Sequence, residues 1–428
     1  MLDINVLRDF PEKVIKTLEK RQQPEKISLV NHLIKEDSLW RSNLKKLESL
    51  KQTRNELTHQ IIQFKKEKKD SARFIKEAKE LPEKIKELEE STTALKKKID
   101  EELLQIPNIL DQKVPLGKSE KDNPVIKTVG KPKSVSFNLL SHIELVENLG
   151  LADFEAGRTV AGKGFNYLKG DLALLDHSLQ RYGVDYLLKK GFTLVVPPML
   201  LNFESLRGAL NGLKDFEEVI YKVEKEDLYL IGTAEHSLVS MFKDKTLQKD
   251  DLPLKVCALT PCFRKEIGAH GVDTKGLFRM HQFNKVEQVM ISPPEKSEDN
   301  LEEMQKITES FFKSLEIPFR VIEICSADLG AKFSRQYDIE AWFPRQKEYK
   351  EVTSAGNCTD YQSRALNIKF YDKGNRVYPH LLNNTMVATS RAMVCILENY
   401  QQRNGTIKVP KVLQPYMGNK KVIGEKNG

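Results

Sequence analysis

Apolar residues recur at steps of three, four or seven along two stretches in the first quarter of the chain. The first series is Leu33, Trp40, Leu44, Leu47, Arg54 (through its aliphatic stem), Ile61 and Phe64, and the second is Ala78, Leu81, Ile85, Leu88, Thr92, Leu95, Ile99 and Leu103. This period is typical of helices with one narrow apolar face. The run 65–72 between them lacks apolar partners. We predict two helices, each ~50 Å long at 1.5 Å per residue, folded back as an antiparallel coiled coil.

Proline and glycine mark the limits of this helical region. Pro82 lies inside the second series and cannot donate a helical hydrogen bond, so we expect a kink or a restarted helix there. Pro107 ends the region, and residues 113–135 contain three prolines and two glycines that break any periodicity. The predicted domains are therefore residues 1–112, a linker at 113–135, and residues 136–428.

Helical and alternating patterns are mixed in the third segment. A helix is expected at 171–190, followed by a strand at 191–196 that two prolines end. An alternating strand at 337–344 is followed by a strand at 348–354 that returns antiparallel to it, and a strand from 380 leads into a helix at 392–401. The pattern predicts an α+β fold in which the two-helix coiled coil, called the arm below, precedes an antiparallel-sheet domain.

Composition narrows the class of protein. The chain has 428 residues, of which 39% are hydrophobic and 30% charged, with a net charge of +8. The five cysteines have no C-x-x-C spacing, which favours reduced thiols over a disulfide framework or a zinc site. The start has no basic, apolar leader, and no stretch approaches the ~20 apolar residues of a membrane span. We expect a cytoplasmic protein without a membrane partner.

The richest chemistry lies between residues 260 and 287. Arg264 and Arg279 can fork onto phosphate oxygens, Glu266 and Glu287 can accept from an amine or hydroxyl, and Phe283 offers a flat face to a base. This set predicts a strand, loop and strand that bind a nucleotide. The alternative is a charged hairpin on a solvated edge.

Two further stretches place polar groups at strand ends. Thr233 and Glu235 follow a short apolar strand and can converge on a small amino acid, with the carboxylate meeting its ammonium group. Glu351 and Ser354 end another strand, and such oxygen ligands suit Mg²⁺ beside substrate phosphates.

These residues resemble the motifs of the class II aminoacyl-tRNA synthetases, in the form found in seryl-tRNA synthetase. Residues 263–266, the loop with Asp273, Thr274 and Gly276, and residues 281–283 are similar to motif 2. Residues 171–198 resemble motif 1, which in that family builds the homodimer interface, and 380–391 resemble motif 3. The chain departs from the family where Ser-Cys-Ser-Asn becomes Ser354, Ala355, Gly356 and Asn357, and where Gly-Ser becomes Asn384 and Thr385.

The resemblance implies activation of L-serine with ATP to seryl-adenylate, then transfer to tRNA(Ser), and to tRNA(Sec) where present. It implies that ATP is bound by Arg264, Glu266, Met280, Phe283, Glu351, Val352, Thr353, Ser354 and Arg391, and Mg²⁺ by Glu351 and Ser354. Serine would be bound by Thr233, Glu235, Arg264, Glu287, Asn383 and Thr385. The implied catalytic residues are Arg264 on the α-phosphate, Arg391 on the γ-phosphate and Glu351 on the metal. Phe283 would lie under the adenine, whose other face Arg391 could cover, and Glu287 would read the serine hydroxyl.

The arm carries its charge unequally. Residues 41–70 contain nine Lys or Arg against four Asp or Glu, whereas residues 71–105 contain eight against nine. A basic first limb suits a phosphate backbone, with Lys45, Lys46, Lys51 and Arg54 as candidate tRNA contacts. The alternative is that these residues are only good helix formers on a solvated face.

Three other functions compete with the synthetase. A ligase that passes an amino acid to a carrier protein would share the motifs, but such relatives lack a long arm. A non-catalytic RNA-binding paralogue would be favoured by loss of Arg264, Glu351 or Arg391, and all three are present. A coiled-coil scaffold with a globular end explains only the arm.

Overall fold

The computed structural model describes residues 1–210, 219–266 and 276–425. The chain divides into two compact units, Met1–Glu19 with Gln23–Ile106, and Lys20–Gln22 with Pro107–Gly428. Asp273 and Thr274 of the predicted motif 2 loop lie outside the described residues. None of the helices in the described ranges is long and apolar enough to cross a membrane.

The first unit is helical and contains the predicted arm. Its helices are α1 (Ile4–Asp9), α2 (Pro11–Lys20), a 3₁₀ turn (Pro24–Lys26), α3 (Ile27–Lys66) and α4 (Ala72–Leu103). The two long helices are antiparallel, because Lys98 pairs with Glu36 near one end and the Phe64 and Phe74 rings meet 5.0 Å apart at the other. The coiled-coil prediction is confirmed.

The seam between α3 and α4 follows the predicted period with one correction. Leu57 is buried in the seam together with Leu47, whereas Arg54 is exposed and does not lend its stem to it. The helix α4 continues through Pro82 and does not restart there. Leu81 and Ile85, on either side of the proline, are both buried against α3, and this packing compensates for the missing backbone hydrogen bond.

The second unit is built, within the described residues, around one eight-stranded sheet. Its order is β1-β10-β11-β12-β15-β9-β8-β4, antiparallel except for the β4–β8 pair. The strands are β1 (Val125–Val129), β2 (Ala152–Asp153), β3 (Tyr167–Leu168), β4 (Thr193–Leu194), β5 (Leu200–Leu201), β6 (Tyr229–Leu230), β7 (Thr246–Leu247), β8 (Leu254–Phe263), β9 (Gln282–Ser292), β10 (Phe319–Glu323), β11 (Arg335–Phe343), β12 (Glu348–Asn357), β13 (Lys369–Asp372), β14 (Asn375–Val377), β15 (His380–Ala388), β16 (Ile407–Lys408) and β17 (Val422–Ile423). The predicted α+β class with an antiparallel sheet is confirmed.

Helices cover both faces of this sheet. They are α5 (His142–Asn148), α6 (Phe154–Ala161), α7 (Gly170–Leu188), α8 (Phe203–Ala209), α9 (Ala234–Ser240), α10 (Ser297–Ser314), α11 (Tyr361–Ala365) and α12 (Thr389–Tyr400). Short 3₁₀ turns lie at Glu120–Asp122, Lys249–Asp251, Pro294–Lys296 and Lys411–Met417. The largest apolar cluster joins α7, α10 and α12 to the sheet, and a smaller one joins α9 to β8 and β9.

The segment predicted to be a linker contributes a strand. Within residues 113–135, β1 pairs antiparallel with β10 at the edge of the sheet. The strand is only five residues long and largely exposed, so its sequence lacks the apolar run that marks a buried strand. Its partner lies almost two hundred residues away, and no local pattern reports such a pairing.

Candidate active site

The centre of the sheet holds two adjoining cavities, of about 370 and 390 Å³. The first is lined by Val219, Arg264, Glu266, Phe278, Arg279, Met280, Phe283, Lys285, Glu351, Val352, Thr385, Ala388, Ser390 and Arg391. The second is lined by Leu210, Val219, Ile220, Gly232, Thr233, Glu235, His236, Arg264, Lys285, Glu287, Lys332, Phe333, Glu351, Ser354, Asn383 and Thr385. Arg264, Lys285, Glu351 and Thr385 line both, so the cavities meet at these four side chains.

The first cavity has aromatic and cationic walls. The Arg264 guanidinium lies 5.4 Å from the centre of the Phe283 ring, and its Nε donates to the Gly232 carbonyl at 3.1 Å. Arg391, in the first turn of α12, lies 5.2 Å from the Phe278 ring. Two positive groups above flat rings suit a ligand with phosphates and a base.

Carboxylates balance the arginines of the first cavity. Arg391 Nη1 donates to Glu351 Oε1 and to the Glu351 carbonyl, both at 3.0 Å. Arg279 pairs with Glu266 at 3.2 Å. An anionic ligand could replace one carboxylate partner of each arginine.

A β-bulge brings Glu351 and Ser354 to the same side of β12. Residues three apart on a regular strand point to opposite faces. The register with β11 skips Val352, because Ile339 faces Thr353 and Glu340 faces Glu351. Glu351 and Ser354 therefore both reach the second cavity.

Ser354 is oriented by a buried pair behind it. Gln336 Nε2 donates to Ser354 Oγ and to Asp338 Oδ1, each at 3.0 Å. Burial raises the pKa of Asp338 to about 8, and the nearby charge of Glu351 adds to the shift. Ser354, one of the two oxygen ligands predicted for a metal, thus has a fixed support.

The second cavity contains a hydrogen-bond network centred on Glu235. Thr233 is the N-cap of α9, which places Glu235 in the first turn of that helix. Glu235 Oε1 accepts from Lys332 Nζ at 2.5 Å, from Gln362 Nε2 at 2.8 Å and from Asn383 Nδ2 at 3.1 Å. This carboxylate is therefore already satisfied on one oxygen by protein donors.

A second buried carboxylate, Glu287, lies across the cavity. Its Oε2 pairs with Lys285 on the same strand and accepts from Thr233 Oγ1 at 3.3 Å and Thr385 Oγ1 at 3.5 Å. Both hydroxyl-to-carboxylate distances are long, so a ligand hydroxyl or ammonium group can take the place of either threonine on Glu287. The pocket thus presents two carboxylates, each paired with its own lysine.

The two carboxylates differ in their pKa shifts. Burial alone would raise the pKa of Glu235, but the Lys332 charge and hydrogen bonds outweigh it and hold the pKa below its usual value. Burial raises the pKa of Glu287, and Lys285 offsets it only in part. Glu235 is therefore more firmly ionised than Glu287, and a cationic ligand would stabilise the ionised form of Glu287 more.

His236 lies beside Glu235 as a neutral group. Burial lowers its pKa to about 3, against an opposing effect of Glu235. Since an unfolded histidine has a pKa of 6.5, the native state binds fewer protons between pH 6.5 and 3, and stability falls as pH drops through that range. At pH 5 the loss from this group is about 2 kcal/mol.

We therefore expect His236→Gln to lose less stability than the parent between pH 7 and 5, measured by urea unfolding. The exposed His177 is the matched control, and His177→Gln should follow the parent curve. Parallel curves for His236→Gln and the parent would contradict the buried, neutral assignment.

Nearly all predicted site residues line one of the two cavities. The predicted ATP residues Arg264, Glu266, Met280, Phe283, Glu351, Val352 and Arg391 line the first cavity. The predicted serine residues Thr233, Glu235, Arg264, Glu287, Asn383 and Thr385 line the second, as does Ser354. Thr353 is 2% exposed and lines neither. Arg391 lies over the Phe278 ring in the first cavity.

Sequence reasoning missed several lining groups. Lys285 had a readable signal, because Phe283, Lys285 and Glu287 alternate on one face of a strand. Lys332 and Phe333 gave none, since they lie in an irregular segment and reach the cavity only through tertiary contacts.

Comparison with known proteins decides the family. Residues 1–110 match the seryl-tRNA synthetase N-terminal domain, and residues 220–400 match the tRNA synthetase class II core domain (G, H, P, S and T). A serine–tRNA ligase of Methanocorpusculum labreanum is 46% identical over 420 residues, covering 97% of this chain and 99% of that protein. The chain belongs to the seryl-tRNA synthetase family.

Solved seryl-tRNA synthetases support this over the whole length. The Pyrococcus horikoshii enzyme complexed with ATP has a TM-score of 0.92 and 43% identity, with 99% of each chain covered. The cytoplasmic serine–tRNA ligase of Naegleria fowleri in complex with AMP has a TM-score of 0.88 and 34% identity, with 100% of this chain and 99% of that chain covered. The family gives the chain its reaction class, that of a class II serine–tRNA ligase that uses ATP.

Proposed function

We propose that the first cavity binds ATP, that the second binds L-serine, and that the serine carboxylate attacks the α-phosphate where they meet. The observation that carries this proposal is the position of Arg264, which lines both cavities. The product would be seryl-adenylate, and the terminal ribose hydroxyl of tRNA(Ser) would then accept the seryl group. Both steps need positioning and charge stabilisation more than a general base.

Arg264 would hold the α-phosphate, and Arg391 the γ-phosphate. Charge grows on the α-phosphate oxygens as the phosphorus becomes five-coordinate, so a forked donor fixed there stabilises the transition state. Phe283 would lie against the adenine and Glu266 would accept from its amine. Arg391 would leave Glu351 to reach phosphate, because one arginine cannot serve both partners fully.

Glu351 and Ser354 would hold Mg²⁺ beside the phosphates. The donor set fits this ion, because a half-exposed carboxylate and a hydroxyl share one side of β12 and leave room for phosphate oxygens and water. When bound, Mg²⁺ would neutralise phosphate charge. The chain's own part is to fix these two oxygens, which the bulge and Gln336 do.

Serine would be held between the two carboxylates. One oxygen of Glu235 already accepts from Lys332, Gln362 and Asn383. We therefore propose that Glu235 orients these pocket residues and supplies a negative charge near the ammonium group of serine. Glu287 and Thr385 would read the hydroxyl. A site with such buried acceptors rejects alanine strongly, whereas threonine must be excluded by lack of room for one methyl.

The arm would grip tRNA through its basic first limb. Lys45, Lys46 and Arg54 are exposed on α3, and Lys51 shares its charge with Glu89 at 2.6 Å. Phosphate contacts of this kind supply affinity and a steep salt dependence. We also propose a cytosolic location, in keeping with five free, buried cysteines.

ATP–pyrophosphate exchange measured with each of the twenty amino acids tests the proposal. Serine should support exchange in the presence of Mg²⁺, and threonine and alanine should support far less. Exchange driven by another amino acid would overturn the substrate assignment. Charging of tRNA(Ser) with labelled serine tests the second step on the same preparation.

We further propose a homodimer whose contact lies at the strand end of residues 171–198 rather than on the helix. The apolar side of α7 is already buried against the chain's own core, including Leu172, Leu179 and Leu187. Exposed apolar side chains instead follow it, with Val196 91% and Met199 43% exposed next to the edge strand β4. An edge strand with such neighbours is a natural place for an isologous contact.

Sedimentation at micromolar concentration should give about twice the chain mass of 49.1 kDa. Replacing Val196 and Met199 by Asp should shift the enzyme to the monomer, because both charges would be buried in the contact. Leu116→Asp, at another exposed apolar position of the same unit, is the control and should remain dimeric. A parent that sediments as a fully active monomer would contradict the proposal.

A further inference from the structure

The segment between β10 and β11 forms one wall of the amino-acid cavity. It has no regular secondary structure from Leu329 to Ser334, yet it carries two lining side chains. Lys332 makes the 2.5 Å contact with Glu235, and the Phe333 ring packs beside it. Without a ladder of its own, this segment needs other donors to fix its backbone.

One buried side chain binds half of the six wall carbonyls. Arg21 Nη1 donates to the Leu329 carbonyl at 2.8 Å and to the Gly330 carbonyl at 3.3 Å. Its Nη2 donates to the Phe333 carbonyl at 2.6 Å and to the Asn108 carbonyl at 3.0 Å. The guanidinium thus binds three carbonyls of the wall and the carbonyl of Asn108, which lies in a neighbouring segment of the same chain.

Residues 108–111 of the same chain bind the remaining carbonyls of the wall. The Asn108 backbone N–H donates to the Ala331 carbonyl at 2.7 Å, and Asn108 Nδ2 donates to the Lys332 carbonyl at 2.9 Å. The Asp111 N–H donates to the Ser334 carbonyl at 3.0 Å. All six successive carbonyls of the wall are therefore held by Arg21, Asn108 or Asp111.

Arg21 is unusual in its environment. It is 2% exposed, and its guanidinium donates to four neutral backbone carbonyls. Burial lowers its pKa to about 10, so the group stays charged at neutral pH. Burying a charge in this way is costly unless its donors are used, and the planar fork of arginine matches diverging carbonyls that a lysine could not reach together.

The position of Phe333 also explains a departure from the family pattern. Gly356 departs from the Ser-Cys-Ser-Asn pattern of the resemblance, and a Cβ built on it would overlap the Phe333 ring. The φ of this glycine does not require glycine, so the need is for space. The wall and strand β12 therefore fit each other through this pair, and a shift of the wall would move Phe333 in the cavity.

We propose that Arg21 and Asn108 are positioning residues for serine, which fix residues 329–334 so that Lys332 and Phe333 shape the amino-acid cavity. The inference rests on the proposed serine site. It assigns residues outside both cavities a specific effect on one substrate.

Serine-dependent exchange by the full chain, with separate KM values for serine and ATP, tests this. Arg21→Lys keeps the charge and loses the fork, so we expect the serine KM to rise about 10- to 100-fold, because small displacements of positioning groups have effects of this size. The ATP KM should change less than twofold. Arg8→Lys is the control, because Arg8 also lies within residues 1–110, which match the family's N-terminal domain, but it pairs with Asp37 of the helical unit. Both KM values of this variant should stay at the parent level.

A second variant keeps the test decisive if Arg21→Lys does not fold. Asn108→Ala removes a different clamp from the same wall and should give the same split between the two KM values. Unchanged serine KM in folded Arg21→Lys or Asn108→Ala, or an equal rise in both KM values, would overturn the inference. Absence of serine-dependent exchange in the parent would instead overturn the proposed function.

The pair at Gly356 gives an independent readout. Gly356→Ser should raise the serine KM in the parent, because the ring must move, and should have less than a twofold effect in a Phe333→Ala background. Equal effects of Gly356→Ser in both backgrounds would show that the ring does not set the cavity, against the inference.

Discussion

Arg264→Ala should lower the rate of serine-dependent ATP–pyrophosphate exchange by about 10²- to 10³-fold, or ~3 to 4 kcal/mol of transition-state stabilisation, as for loss of one preorganised donor. The side chain lies where the two cavities meet and is held there by the Gly232 carbonyl and the Phe283 ring. Because α-phosphate charge grows during the attack, most of the loss should be in kcat rather than in the ATP KM.

A remote arginine separates this effect from a loss of fold. Arg403 also donates to a backbone carbonyl, that of Ser136, and lies outside both cavities. Arg403→Ala should therefore exchange at the parent rate, while both variants should keep a cooperative thermal transition. If Arg264→Ala exchanged as fast as Arg403→Ala, the phosphate role would be wrong.

The parts of the fold that repeat a pattern were predictable from sequence. The arm has one seam, and each of its limbs has nothing else to bury, so its period gives its structure directly. Arg54 was misplaced because a step of seven marks a position without showing whether the chain buries it. The strand β1 was missed because its short edge pairing depends on a distant partner.

The site residues also divide into those that the sequence pattern indicates and those that only the folded structure brings together. Residues that follow one another on a strand, such as Phe283 and Glu287, share a face that the sequence already indicates. Ser354 joins Glu351 only through the bulge at Val352, and a bulge leaves no mark in the apolar pattern. Lys332 meets Glu235 across 97 residues of sequence, and Arg21 supports that contact from 308 to 312 residues away. Such contacts come from packing and have no local signal.

Removing the distal arm should separate the two half-reactions. The ion pair between Lys51 and Glu89 places these residues side by side on α3 and α4. Excision of residues 52–88 and closure with a short Gly-Ser loop should therefore keep the rest of the seam in register. The proposed catalytic residues all lie in the second unit, so exchange should stay within about twofold of the parent, and charging of tRNA(Ser) should fall by roughly 10³-fold, as expected when several phosphate contacts are lost together.

Charge reversal on each limb distinguishes a phosphate-binding face from a solvated one. Changing Lys45, Lys46, Lys51 and Arg54 to Glu should reproduce much of the loss in charging and should flatten its dependence on salt, because fewer counterions are released on binding. The matched control reverses four exposed lysines of α4, namely Lys76, Lys79, Lys86 and Lys97, and should do less at equal net charge. If the two sets had equal effects, net charge alone would act. If the excised enzyme charged tRNA as well as the parent, the arm would not bind tRNA, and transfer to a carrier protein would become the better account of the second step.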